Sequence, residues 1–285
     1  MNSMNLKEPY EKQPMQGKGI KMPDFPAPPG FRLATTSFIY PDHIIPNVEK
    51  LGPFFDEIEL LIFESSPAEV LPSKNDIRTL ERYKTESRLT YNVHLPLDVS
   101  ITDPSASRRK QALDRLIKVI DLFSPLTPST FTLHLDFFGP GHEEKDIESF
   151  RQTASESLDR LTRSVEKPGL ISVETLDYPF FYASPVVKAY ELSVCADIGH
   201  LVKYGYSVSE FFQTWGPAIS IVHLHGVDFS LHPPGDHTRL DRLPDKTFRE
   251  IIDLLDCFTG VVSLEVFSKE TLDSCLDSLK PCFSI

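Results

Sequence analysis

Short apolar runs alternate with longer amphipathic stretches along this chain from Phe31 onward. Eight of the runs are rich in Val, Ile, Leu and Phe, a composition that favours buried strands. We predict these strands near residues 31–37, 57–63, 89–95, 130–135, 170–175, 192–197, 219–225 and 260–266. Because parallel strands buried on both faces read as nearly continuous apolar runs, the pattern indicates a parallel sheet covered by helices.

The intervening stretches have the spacing of amphipathic helices. In residues 105–124, Leu and Ile recur three and four positions apart, which places them on one helix face. The stretch 73–87 opens with Ser73 and Asp76, the arrangement of a capping box. The stretch 143–167 ends at a Pro-Gly pair, a common helix stop. Helices are therefore expected to separate the predicted strands.

Eight strand–helix units predict a (β/α)8 barrel, the TIM-barrel fold, with a doubly wound sheet as the alternative. The chain has 285 residues, 40% of them apolar, which is enough for one large core. We expect residues 31–285 to form the barrel as a single domain, and the Pro-rich residues 1–30 to form a flexible extension. No Gly-rich phosphate loop follows the first strand, where Ala34–Ser37 reads ATTS, so a nucleotide-cofactor fold is disfavoured.

Seven of the eight predicted strands carry His, Asp or Glu at their ends, where an apolar run should continue. One unpaired buried charge is costly, and many side by side are not expected unless a cation collects them. The carboxyl ends of barrel strands meet at one mouth, and side chains two positions apart share a side. His134 and Asp136 share such a phase, as do His223 and His225.

The strand ends and the long loop at 226–246 therefore supply the candidate site. The candidate residues are Glu64, His94, His134, Asp136, Glu174, Asp197, His200, His223, His225, Asp236, His237, Arg239, Arg242 and Glu265. Mixed imidazole and carboxylate groups with no thiolate in register suit Zn2+, Mn2+, Co2+ or Fe2+. A metal at the mouth could polarise a carbonyl, or ionise a water and hold a phosphodiester oxygen.

Each candidate also has a purely structural interpretation. A single His94 or His134 is more often a hydrogen-bonded core histidine than a ligand, and Glu64 could cap the helix that follows it. The combination favours a site, because six of the nine histidines fall at strand ends or just beyond the seventh strand. Independent structural accidents would not share that phase.

Charge and cysteine usage limit the location and partners of the protein. The formal net charge of -12 argues against a nucleic-acid surface, which needs a basic stripe. The four cysteines show no CxxC spacing, and the N-terminus lacks an apolar signal region, so we predict a cytoplasmic protein. No apolar run approaches the roughly 18 residues of a membrane span, so we expect no membrane partner.

The order of these residues resembles the xylose-isomerase-like barrel superfamily, which includes endonuclease IV-type nucleases and sugar isomerases and epimerases. The resemblance covers roughly residues 31–285. The multi-metal nuclease pattern implies a ligand set of His94, His134, Glu174, Asp197, His200, His223, Asp236, His237 and Glu265. The isomerase pattern implies only Glu174, Asp197, His223 and Glu265. Asp236 and His237 are adjacent here, whereas the nuclease pattern separates the two by one residue.

Three stretches look more specifically like cobamide remodeling phosphodiesterases: LATTSFIYPDHIIPNVEKLG (33–52), DEIELLIFE (56–64) and YNVHLPLD (91–98). The resemblance implies hydrolysis of the nucleotide-loop phosphodiester of a cobamide, giving cobinamide phosphate and an α-ribazole-type nucleoside. Divalent metal ions, with zinc or manganese favoured, are the implied cofactors, and a small-molecule corrinoid is the implied partner.

Under this hypothesis two of the metal-binding carboxylates are also catalytic, and the five candidates outside the metal-ligand set bind substrate. Glu174 and Glu265 would bridge metals or orient the attacking water. The predicted substrate-binding residues are Glu64, Asp136, His225, Arg239 and Arg242.

Three other functions remain open for the sequence. A sugar isomerase or epimerase would use Glu174 and Glu265 to move a proton across a metal-held enediolate. An abasic-site endonuclease fits the ligand set but is disfavoured by the acidic charge balance. A non-catalytic corrinoid or metal carrier would keep the same mouth without forming product.

Overall fold

The computed structural model describes residues 30–65 and 70–283, which form a closed parallel barrel. The strands are β1 (Arg32–Thr36), β2 (Glu57–Leu61), β3 (Thr90–His94), β4 (Phe131–Leu133), β5 (Ile171–Glu174), β6 (Ser193–Asp197), β7 (Ile219–Leu224), β8 (Gly226–Asp228), β9 (Gly235–Thr238) and β10 (Val261–Leu264). The barrel order is β1-β10-β7-β6-β5-β4-β3-β2, and β8 and β9 form a separate antiparallel pair. The predicted (β/α)8 barrel is confirmed, and the doubly wound alternative is wrong because the sheet closes.

The helices cover the outer face of the barrel. They are α1 (Ile44–Leu51), α2 (Lys74–Ser87), α3 (Ala106–Phe123), α4 (Glu144–Leu161), α5 (Ser184–Ala189), α6 (Ile198–Lys203), α7 (Val208–Trp215), α8 (Asp245–Leu255) and α9 (Lys269–Phe283). Across the described ranges, no helix is long and apolar enough to cross a membrane.

Two of the predicted helix boundaries show how local sequence sets an element. The capping box of α2 is confirmed, since Ser73 Oγ accepts from the Asp76 amide at 3.2 Å and Asp76 Oδ2 accepts from the Ser73 amide at 2.8 Å. Helix α4 ends at Leu161, earlier than predicted. Beyond it only Val165 is apolar before Pro168, so no apolar face remains to be buried.

The inward-facing side chains change character from one end of the barrel to the other. Ala34, Cys195, Ile221 and Val261 form a small buried apolar cluster, separate from the main core between sheet and helices. Toward the carboxyl ends of the strands, the inward positions are occupied by carboxylates and imidazoles, as the strand phase predicts. Residues 1–29 of the predicted extension lie outside the described residues.

Candidate metal centre

Glu174, at the end of β5, is the centre of the buried charged cluster. Its Oε2 lies 3.1 Å from His94 Nε2 and 3.0 Å from His134 Nε2. His94 Nδ1 lies 2.9 Å from the Leu95 carbonyl oxygen, a contact in which the ring donates. That hydrogen bond places the proton of a neutral ring on Nδ1 and leaves the Nε2 lone pair facing Glu174. His94, His134 and Glu174 together form a group that could hold a cation.

A second group shares Glu174 and lies beside the first. It contains Glu174, Asp197, His223 and Glu265, whose ligand atoms all lie within 4.8 Å of one another. His223 Nδ1 is 3.0 Å from Glu265 Oε2 and 3.9 Å from Asp197 Oδ2. All four residues are buried. Three carboxylates this close repel one another strongly at low dielectric, and a divalent cation would remove that repulsion.

Unsatisfied polar atoms in this second group fit a metal ion. Both ring nitrogens of His223 and Oε2 of Glu265 are buried and have no hydrogen-bond partner in the described structure. The 3.0 Å contact between His223 Nδ1 and Glu265 Oε2 lacks the geometry of a hydrogen bond. Buried polar atoms without partners are rare in folded proteins, because each one carries its full desolvation penalty. The donor set of imidazole and carboxylate therefore fits a divalent ion such as zinc or manganese.

A third group consists of three imidazoles: His200, His225 and His237. The His225 and His237 ring centroids are 4.2 Å apart, and the His237 amide nitrogen lies 2.9 Å from His225 Nδ1. His225 Nε2 also lies 3.1 Å from Asp197 Oδ1, which joins this group to the second. His237 has a φ of 50°, an uncommon conformation for a residue other than glycine. The structure therefore places His225, predicted as a substrate-binding residue, among possible ligands.

Asp236 lies at the edge of the third group. Its Oδ2 is 2.5 Å from Lys203 Nζ and 3.9 Å from His200 Nε2. The ammonium group of Lys203 neutralises this carboxylate locally and holds the pKa of Asp236 below its usual range against the opposing effect of burial. Lys203 was not singled out in the sequence, because a helical lysine carries no strand-phase signal.

The other predicted substrate-binding residues lie outside the three groups. Arg239 is ion-paired with Asp241, and Arg242 Nε lies 3.9 Å from Asp228 Oδ2. Glu64 is exposed, and Asp136 is half-buried. These residues belong to loops, where strand phase does not fix the direction of a side chain.

Two residues missed in the sequence face the cluster from inside the barrel. Glu59 is buried on β2, with Oε1 3.0 Å from His223 Nε2 and Oε2 accepting from the Ser263 hydroxyl. The sequence feature that could have identified Glu59 is a carboxylate in the middle of an apolar strand rather than at the end of the strand. Cys195 also lies in a possible ligand group with Glu174 and His223, contrary to the expectation of no thiolate in register. Burial raises the pKa of this thiol well above its usual value, so it stays protonated.

The charges in the cluster shift one another's protonation. Burial opposes charging of His94, but the hydrogen bond and the charge of Glu174 outweigh it and raise the His94 pKa to about 9. Burial likewise opposes charging of His225, and Asp197 raises its pKa to about 9. The pKa of Glu174 lies well below its usual value, because His134 and His223 outweigh the effect of burial. Without a cation, His94 and His225 therefore hold protons that a metal would displace.

A closed barrel with imidazoles and carboxylates gathered at its carboxyl mouth is characteristic of TIM-barrel proteins that bind metals. Residues 45–282 match the family described as "Xylose isomerase-like TIM barrel", so the chain belongs to that family. No curated protein sequence matches the chain significantly.

Similar solved structures include enzymes and a zinc-bound protein. A 3-keto-D-glucoside 4-epimerase from E. coli is 14% identical with a TM-score of 0.63, covering 88% of this chain and 98% of that one. The IOLI protein with a bound zinc atom is 14% identical with a TM-score of 0.67, covering 88% and 98%. A probable 3-DHS dehydratase from Bacillus anthracis is 14% identical with a TM-score of 0.68, covering 87% and 98%. At these identities the likeness shows the fold.

Proposed function

We propose that the protein is a metal-dependent phosphodiesterase that hydrolyses the nucleotide-loop phosphodiester of cobamides to cobinamide phosphate and an α-ribazole-type nucleoside. The proposal rests on the position of Glu174, which belongs to both of the imidazole–carboxylate groups, His94–His134–Glu174 and Glu174–Asp197–His223–Glu265, that could each hold a cation. The likeness of residues 33–52, 56–64 and 91–98 to cobamide remodeling phosphodiesterases supplies the substrate.

Two adjacent groups suit a phosphodiester better than a sugar. Divalent ions held by His94, His134 and Glu174 on one side, and by Glu174, Asp197, His223 and Glu265 on the other, would bind the phosphodiester oxygens and ionise a water. An isomerase requires only the second group. It leaves His94 and His134, both in contact with Glu174, without a role.

The side chains of the cluster would have distinct roles. Glu174 belongs to both groups and would contribute a ligand to each. Glu265 Oε2 has no hydrogen-bond partner in the described residues, so it would be available to hold a cation or to orient the attacking water.

Replacing Glu174 tests this proposal. Metal-replete wild-type protein is expected to release nucleoside from a pure adenosylated cobamide, and Glu174→Gln is expected to lose activity by about a hundredfold or more. Products are identified by liquid chromatography with mass spectrometry. Glu148→Gln, on the exposed face of α4, is the matched control and should retain full activity. Equal turnover by Glu174→Gln and wild type would reject the site.

A sugar isomerase or epimerase is the second candidate. It is favoured by the complete group of Glu174, Asp197, His223 and Glu265, in which Glu174 and Glu265 could pass a proton across an enediolate. The epimerase among the similar structures adds support for this candidate. Incubation of the protein with ketoses in deuterated water separates the two functions, because only proton transfer through the enediolate incorporates solvent deuterium into the sugar.

A further inference from the structure

The exposed apolar side chains of this protein are concentrated at the mouth of the barrel. Of the ten large apolar residues exposed in the described ranges, eight lie in the segments that lead from a barrel strand to the next α-helix. These eight are Phe38, Val70, Leu97, Phe138, Phe181, Phe229, Leu231 and Phe267. An exposed apolar surface of this kind marks a ligand or partner site more often than chance. The mouth therefore has an apolar rim around a charged centre.

Three phenylalanines form a continuous surface on this rim, which we call the aromatic shelf: Phe38, Phe63 and Phe267. They follow β1, β2 and β10, which are neighbours in the barrel. The Phe38 and Phe63 ring centroids are 4.7 Å apart, and those of Phe63 and Phe267 are 6.0 Å apart. Phe38 is 41% exposed and Phe267 is 38% exposed, so both present ring surface to solvent.

The shelf continues directly into the charged cluster. The Phe267 ring centroid is 4.8 Å from that of His237, which belongs to the imidazole group with His200 and His225. The β8–β9 hairpin that carries His237 also exposes Phe229 and Leu231. A ligand bound at the cluster therefore meets an apolar surface on its side facing β1, β2 and β10.

We propose that the aromatic shelf binds the corrin macrocycle of the substrate and directs its nucleotide loop toward Glu174. This assignment rests on the proposed function. A nucleobase stacks on one aromatic ring, whereas the shelf is a wider apolar surface of three rings packed edge to face, with interplanar angles of 78° and 63°. A sugar would need hydrogen-bond donors and acceptors where the shelf offers carbon. A broad macrocycle with an apolar face matches the extent and the chemistry of the shelf.

Binding of the two halves of the substrate, measured separately, tests the assignment. Dicyanocobinamide carries the corrin ring without the nucleotide, and α-ribazole carries the nucleoside without the corrin. Equilibrium dialysis is expected to show that the double variant Phe38→Ala/Phe267→Ala binds dicyanocobinamide about tenfold more weakly than wild type, or worse. Its affinity for α-ribazole and its metal content are expected to stay unchanged.

Phe54→Ala is the matched control, because Phe54 is 43% exposed but lies between α1 and β2 at the opposite end of the barrel. It should bind dicyanocobinamide as wild type does. Thermal unfolding of all variants verifies that they fold. Equal binding of dicyanocobinamide by the double variant and wild type, or no binding by wild type, would overturn the assignment.

A separate assay with intact cobamide distinguishes the failure of the two proposals. Wild type that binds dicyanocobinamide through the shelf but releases no nucleoside would retain the shelf assignment and reject the phosphodiesterase. If the double variant and wild type cleave cobamide equally well at low cobamide concentration, the phosphodiesterase is retained and the shelf assignment is rejected. Loss of the shelf should raise KM.

Discussion

Buried carboxylates at the two ends of the barrel differ in how completely the protein supplies hydrogen bonds to their oxygens. Glu57, at the start of β2, accepts from Thr90 Oγ1 at 2.6 Å and from Asn92 Nδ2 at 3.0 Å, and it also accepts from the Ser129 hydroxyl. At the mouth, Glu265 Oε2 and both nitrogens of His223 have no hydrogen-bond partner in the described residues. Glu59, two positions after Glu57, has one oxygen bonded to Ser263 and the other left without a partner.

The difference separates buried charges whose hydrogen bonding the protein completes from buried charges that it leaves incomplete. The protein itself completes the hydrogen bonding of Glu57, and the Arg32 guanidinium lies 3.4 Å away. The charges at the mouth are left incomplete by the protein, at a cost that folding alone does not recover. A cation at the mouth would recover it.

Adding metal should stabilise the mouth strongly. Chelated protein supplied with zinc or manganese at a thousandfold excess over Kd should gain about 4 kcal/mol of unfolding free energy, a rise in Tm of roughly 10 °C. His223→Ala should lose the part of this rise that comes from the second group, because it removes the two unsatisfied ring nitrogens of His223. The exposed His43→Ala should keep it. Differential scanning fluorimetry measures the shifts, and an equal rise in His223→Ala would argue against the second group.

Removing Glu57 should destabilise the fold without affecting metal binding. Glu57→Ala leaves the Asn92, Thr90 and Ser129 donors without their acceptor, which should cost about 3 kcal/mol of unfolding free energy in urea titrations. The metal-induced rise in Tm should stay as in wild type. Loss of that rise would mean that the two ends of the barrel are not separate.

Metal affinity should rise with pH up to about 9. His94 and His225 have pKa values raised to about 9, so in the metal-free protein they stay protonated below that pH and must release protons to bind a cation. As the pH is lowered below about 9, the apparent metal affinity should fall about tenfold per pH unit for each proton that the metal displaces. Calorimetry in buffers of different ionisation enthalpy counts those protons, and an absence of proton release at pH 7 would contradict the account.

The same pKa shifts set the stability of the metal-free protein. A raised imidazole pKa contributes stability that is fully present below the unfolded value of 6.5 and is lost as pH rises through about 9. The Tm of chelated protein should therefore fall between pH 6.5 and 9, while the metal-replete protein changes less. If Tm changed with pH equally in the chelated and metal-replete proteins, the protons and the metal would not compete.

Replacing Glu59 should weaken metal binding moderately. Its carboxylate faces His223 Nε2 at 3.0 Å and would orient the ring so that Nδ1 faces Glu265. Glu59→Gln should lower metal affinity about tenfold, measured by competition with a chelating dye. Glu59→Asp, which keeps the charge, should recover part of the loss. Unchanged metal affinity in Glu59→Gln would show that Glu59 does not support metal binding.

Strand phase predicted most of the barrel and the centre of the site. His94, Glu174, Asp197 and His223 follow apolar runs on four strands, and parallel strands in a closed barrel must bring their carboxyl ends together. Glu265 follows the last strand in the same way. These residues meet because of the strand periodicity and the barrel topology, and the sequence pattern predicts both.

Side chains outside that phase were not predictable. Arg239 and Arg242 lie in a loop, and their aspartate partners become visible only in three dimensions. Glu57 and Glu59 have the same phase on the same strand, so no sequence pattern separates the one that the protein satisfies from the one that faces His223. Asp236 is a similar case, because its pairing with Lys203 depends on how the β8–β9 hairpin folds over α6.

Anomalous diffraction from crystals grown with zinc tests the central claim most directly. We expect two anomalous peaks that share Glu174 as a ligand, one beside His94 and His134 and the other beside His223 and Glu265. A zinc-saturated crystal with no peak in contact with Glu174 would contradict the account, as would His223 Nδ1 bonded to a protein group.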